Sequence, residues 1–125
     1  MKIFVLEDDP IRIKHFEKIF KNYTTVIATN VEEAKNKIYE HEYNTIFLDH
    51  DLGGEQMIDS SKENSGYQFA KYIVESDDRH INAQIVIHSQ NPVGALNMKR
   101  LFEYWKYEVV IKPYMQIYNE TKDIR

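Results

Sequence analysis

One hundred and twenty-five residues, 42% of them hydrophobic and 29% charged, suit one compact domain with a core of ordinary size. A net charge of −4 argues against non-specific DNA binding through a broad basic surface, and the absence of Cys excludes disulfides and thiolate metal sites. The N-terminal MKIFVLEDDP holds too short an apolar run for a signal peptide or a membrane span, so the expectation is a stand-alone domain over residues 1–125, in the cytoplasm and without membrane contact.

Lys2 to Leu6 (KIFVL) is a short apolar run that stops at three acids, which predicts a buried strand. Pro10 then suits the first turn of a helix, and Ile11, Phe16, Ile19 and Phe20 carry the helical spacing towards Asn22. Thr24 to Ala28 is β-branched and strand-like. Asn30 can cap a second helix, with Glu32 and Glu33 in its first turn, running to about His41. Thr45 to Leu48 is the third strand and also stops at an acid, Asp49. A long polar, Gly-containing segment from Asp51 to Ser65 follows, of a length usually reserved for functional or mobile loops. Ser65 or Gly66 opens a third helix with Phe69, Ala70, Ile73 and Val74 on its apolar face. Ile85 to Ile87 is the fourth strand, Asn91-Pro92 starts a helix through about Trp105, and Val109 to Ile111 is the fifth strand. The residues after Pro113 suffice for a short final helix. Trp105, Tyr104, Phe102 and Tyr107 read as core and interface aromatics.

Five apolar strands alternating with helices predict an α/β fold: one doubly wound, five-stranded parallel sheet with helices on both faces. Ligands of such sheets bind outside the carboxyl ends of the strands. The residues expected there are Glu7, Asp8 and Asp9 after the first strand, Asp49 and Asp51 after the third, His88, Ser89 and Gln90 after the fourth, and Lys112 after the fifth. Two carboxylates such as Asp8 and Asp49 about 4 Å apart repel by roughly 4 kcal/mol at an effective dielectric near 20. A cation, or a raised pKa on one acid, must offset that repulsion. Oxygen ligands beside a Lys suit Mg²⁺, with Mn²⁺ admitted by a nearby His. His88 should point towards this cluster or flank it, where it can move a proton near neutral pH. His50, by strand alternation, should aim away from the Asp49 face. Gly53-Gly54 reads as a turn that could also cradle a phosphate.

In order, VLEDDPIRI, IFLDHDLGG, IVIHSQNP and VVIKPY resemble the receiver domains of two-component signalling, whose fold is flavodoxin-like. The resemblance covers nearly the whole chain. It implies Glu7 and Asp8 as the acidic pair, Asp49 at the phosphoacceptor position and Lys112 as its paired Lys, with the Asp51 backbone carbonyl joining Asp8 and Asp49 around the metal. His88 stands at the position where receivers carry Thr or Ser, and Val109 where they carry the aromatic of the phosphorylation switch. The combination LDHDLGG with IHSQNP is most similar to a receiver branch named for predicted cyclic-phosphate processing.

Two functions follow as expectations. One is metal-dependent phosphoester chemistry on a cyclic nucleotide or an RNA cyclic-phosphate end, with Asp49, His88 and Lys112 catalytic. Glu7, Asp9, His50, Ser89 and Gln90 would then stand behind the metal or position the substrate. The other is a single-domain response regulator that accepts a phosphoryl group on Asp49 from a histidine kinase or phosphotransfer protein.

Overall fold

The structure is a computed structural model that describes residues 1–123; Ile124 and Arg125, the end of the expected 1–125 domain, lie outside the described residues. Five strands, β1 (Lys2–Leu6), β2 (Thr24–Ala28), β3 (Thr45–Leu48), β4 (Gln84–Ile87) and β5 (Glu108–Ile111), alternate with five helices. These are α1 (Pro10–Ile19), α2 (Val31–Lys37), α3 (Gly66–Glu75), α4 (Pro92–Tyr104) and α5 (Tyr114–Thr121). The sheet is parallel throughout, in the order β2-β1-β3-β4-β5. The α/β doubly wound architecture expected from the strand–helix alternation is therefore present.

Side-chain alternation along the strands divides the core in two. Phe4, Leu6, Ile46, Leu48, Ile85 and Ile87 face α2, α3 and α4. Ile3, Val5, Phe47 and Val86 face the other way, against Phe16 of α1 and Tyr114 and Ile117 of α5. The helix starts follow the expected chemistry. Asn30, Ser65 and Asn91 accept hydrogen bonds from backbone N–H groups in the first turns of α2, α3 and α4, and Pro10 and Pro92 occupy first-turn positions.

Two elements differ from expectation. The second helix stops at Lys37 rather than near His41, because the Tyr43 hydroxyl donates to the Lys37 carbonyl at 3.0 Å and draws the chain back to the core. β5 carries the expected apolar run but differs in its burial. It is an edge strand, with Glu108, Val110 and Ile111 exposed, so its alternation has little to pack against on the outer side. Among the aromatics, Phe102 and Tyr107 are buried, whereas Tyr104 and Trp105 stand exposed. Among the described residues, no helix is long and apolar enough to cross a membrane.

Candidate functional site at the carboxyl ends of the strands

The register sets the site. Leu6, Leu48 and Ile87 lie on one rung, so the next rung is Glu7, Asp49 and His88. Backbone bonds carry the ladder across it: Asp49 N–H donates to the Leu6 carbonyl and His88 N–H to the Leu48 carbonyl. These three residues share the alternation of Val5, Phe47 and Val86, and so face α1. All three are buried, and a ligand atom from each lies within 4.8 Å of the others.

Glu7 is the best supported of the three. Its Oε1 accepts from His88 Nε2 at 3.1 Å and lies 3.7 Å from the Arg12 guanidinium. Its Oε2 accepts from the Asp8 and Asp9 N–H groups at 3.0 and 3.2 Å. Burial alone would raise its pKa, but the hydrogen bond and charge of His88, the Asp9 N–H and Arg12 together hold it below the usual carboxylate value. Asp49 has the opposite balance. Burial is the largest influence and pushes its pKa up to about 6; His88 and the His50 N–H oppose the rise, and the Glu7 charge adds to it. One carboxylate is thus held ionised and its neighbour is held near its titration point. The repulsion anticipated for a carboxylate pair is expressed between Glu7 and Asp49.

A cleft of about 430 Å³ opens above this rung, lined by Glu7, Asp8, Asp49, Arg12, Met57 and Gln90 among others. Asp8 is partly buried on its wall, and its Oδ2 accepts from Gly54 N–H at 3.0 Å. Gly53 and Gly54 both have left-handed backbone, φ 76° and 78°, which lets the loop turn back over the cleft. Asp9 caps α1 through Ile11 and Arg12 N–H. Asp51 borders the cleft, with its carboxylate tied to His50, Asn91 and Met57 N–H. Ser89 is buried, and its Oγ accepts from Asn91 N–H at 3.0 Å.

Three residues sit differently from the simplest reading of the strand ends. His88 lies behind Glu7 and does not line the cleft; its Nδ1 has no hydrogen-bond partner among the described residues. Lys112 is part-exposed at the end of the edge strand and pairs with Glu120 at 3.1 Å, away from the carboxylates. His50 points to the opposite face, as alternation required, and packs against Gly94 of α4. Among the described residues, the cation that does line the cleft is Arg12, a residue the sequence reading passed over. Its place two residues beyond Pro10, in the first turn of a helix that follows a strand-end acid, was the available signal.

A family model, the cyclic-phosphate processing receiver domain, matches residues 1–104. No curated protein matches the chain. Among solved structures, the chain is similar to the response regulator TrrA of Thermotoga maritima in complex with Mg²⁺-BeF. There the identity is 23%, the TM-score 0.61, and 99% of this chain and 98% of that one are covered. A two-component response regulator from Clostridium difficile is 22% identical with a TM-score of 0.64, over 99% of this chain and 94% of that one. A Burkholderia pseudomallei response regulator with a phosphorylated aspartic acid, calcium ion and citrate is 16% identical with a TM-score of 0.64, and this chain, matched over 99% of its length, covers 66% of it. These likenesses establish the receiver fold.

Proposed function

The chain belongs to the cyclic-phosphate processing receiver family, and from that premise we propose that the cleft carries out metal-dependent phosphoester chemistry on a cyclic phosphate, in a nucleotide or at an RNA end. The observation that supports this reading most is the buried Glu7–Asp49–His88 rung beneath an open cleft whose wall carries Arg12.

The donor set fits a hard divalent cation, since carboxylates and a backbone carbonyl are the ligands Mg²⁺ prefers, and the nearby imidazole also suits Mn²⁺. Asp8 and Asp49 would hold the ion with the Asp51 carbonyl. Such an ion, when bound, polarises a phosphoryl oxygen and lowers the pKa of bound water. The chain's own residues then have distinct tasks. Arg12 neutralises charge on the phosphoryl oxygens. Lys112 contributes only by leaving Glu120. Glu7, held ionised, accepts a proton at Oε1 or Oε2, and His88 serves as the proton reservoir behind it through Nε2. Gln90 and the loop around Gly54 and Met57 shape the substrate end of the cleft.

A screen of cyclic nucleotides and RNA 2′,3′-cyclic ends with Mg²⁺ or Mn²⁺ tests the reading. Hydrolysis that falls by a factor of about 10² to 10⁴ in His88→Gln, with metal binding intact by calorimetry, is the expected result. The response-regulator alternative draws on the position of Asp49 on the cleft floor and on the fold it shares with response regulators. Acetyl phosphate followed by intact mass separates the two. A stable phosphoryl group on Asp49 with no cyclic-phosphate hydrolysis supports phosphotransfer from a histidine kinase or phosphotransfer protein, and removes the enzyme reading.

A further inference from the structure

On the sheet face opposite the acidic rung, the structure holds a second group of reactive side chains that the cleft chemistry does not use. The His50 side chain is fully buried. Its Nδ1 lies 2.8 Å from Asp51 Oδ1, and its Nε2 lies 2.8 Å from Ser60 Oγ.

Proton bookkeeping fixes the roles of these atoms. Asp51 Oδ1 also accepts from Asn91 Nδ2 at 3.0 Å, and Oδ2 accepts from Met57 N–H at 2.6 Å. With N–H donors already on both oxygens, the carboxylate accepts from His50 Nδ1–H, and the neutral imidazole then carries its lone pair on Nε2. The hydroxyl of Ser60 is then the donor to Nε2. Asn97 Nδ2 donates to the same Oγ at 3.0 Å. A hydroxyl bonded to an imidazole that is oriented by a carboxylate is the connectivity that activates a serine.

The imidazole is also held rigidly. A Cβ at position 94 would lie 2.4 Å from its Cγ, so α4 packs its backbone directly on the ring and only Gly fits there. Beyond Ser60 lies an open groove of about 770 Å³ between α3 and α4, walled by Tyr67, Arg100, Leu101 and Trp105. Asn97 lines that groove too, and its amide is placed to donate to an oxygen bound next to Oγ.

We propose that Ser60 is the nucleophile of a second site, for acyl transfer from carboxylic esters that carry an aromatic, anionic group. His50 is its base, Asp51 the positioning residue of the imidazole, and Asn97 the donor to the developing oxyanion. Ser60 Oγ bonds to the carbonyl carbon as its proton passes to His50 Nε2. The ester C–O bond then breaks, and the leaving alkoxide takes that proton and departs as an alcohol. Water attacks the acyl-serine by the same route in reverse, releasing the acid and restoring Ser60. Tyr67 and Trp105 offer ring faces to the aromatic group, and Arg100 offers a charge to the anion.

The test uses the full chain in chelator, so that it is independent of any metal in the cleft. A fluorophosphonate probe is added and the labelled peptide is mapped by mass. Exposed Ser61, next in the chain, serves as the internal reference. Ser60 is expected to label at least about 10²-fold faster than Ser61, and Asn97→Ala to slow it by a similar factor. Ser60→Ala should remove the label and the hydrolysis of 4-nitrophenyl acetate while leaving the melting temperature within a few degrees. His50→Gln should do the same if it folds, and the Ser60 to Ser61 ratio of the unaltered protein decides if it does not. Equal labelling of the two serines, or no label on Ser60, overturns the proposal and leaves the hydroxyl as a structural bond that anchors the loop.

Discussion

Asp49 is the residue at which burial and charge compete most openly, and the competition has a direction. Its carboxyl is pushed from 3.8 up to about 6, first by burial. In the metal-free protein the folded state therefore holds this proton more tightly than the unfolded chain does. The associated stability is present below the ordinary Asp value and is lost as pH rises through about 6, by at most about 3 kcal/mol. In chelator, Asp49→Asn should flatten this pH dependence and raise the melting temperature at pH 7.5. A clear fall there would contradict the crowding argument. Glu7 behaves in the opposite sense: its lowered pKa contributes stability that is lost only as pH falls below the usual Glu range. Taking His88 away would leave Glu7 without its buried partner, so His88→Ala should cost about 3–5 kcal/mol in a denaturant titration, and His88→Gln, which keeps a donor, less. Gly66 is tighter still. A Cβ there would fall 1.8 Å from the Asp49 carbonyl oxygen, which belongs to the backbone and cannot swing aside. Gly66→Ala should therefore destabilise by about 3 kcal/mol or more, the upper end for overpacking.

At the scale of elements, the ion pair between the end of β5 and α5 gives a sharp test. Lys112 and Glu120 are both substantially exposed, so Lys112→Ala should change stability by less than about 1 kcal/mol. A large loss of phosphoester hydrolysis with so small a change in melting would show that Lys112 swings to the cleft during turnover. The strands and their reactive ends were legible because apolar runs of two-sided strands end abruptly at acids, His or Lys. Alternation also placed His50 on the far face correctly. The same alternation carried a further message that the reading of the acids in sequence order missed. Glu7, not Asp8, shares the parity of Asp49 and His88, and the parallel register places it on their rung. The exposure of β5 was not legible, because an apolar run does not reveal whether a strand has a neighbour on both sides. The contact between His50 and Ser60 had no signal in the sequence at all, since it depends on how the Asp51–Ser65 segment folds back.

For the molecule as a whole, binding at the cleft should be visible in global stability. A divalent cation that binds only the folded chain raises stability by about 2.7 kcal/mol at one hundred times its dissociation constant. Titration of Mg²⁺ or Mn²⁺ should therefore raise the melting temperature progressively, and the rise should vanish in Asp8→Asn and Asp49→Asn. No rise at millimolar metal would remove the proposed ion. The segment that covers the cleft has a further consequence. Asp51 and Ser65 pair in an antiparallel bridge, Gly66 N–H donates to the His50 carbonyl at 2.8 Å, and the two ends of the segment are thereby fastened side by side to the end of β3. A segment hinged shut at its base can change length and content between those ends without disturbing the sheet. It supplies Gly54 and Met57 to one opening and Ser60 to the other. Exchange of this one cassette could thus retune what enters on both sides of the molecule at once, which makes it the natural place for such a scaffold to diversify.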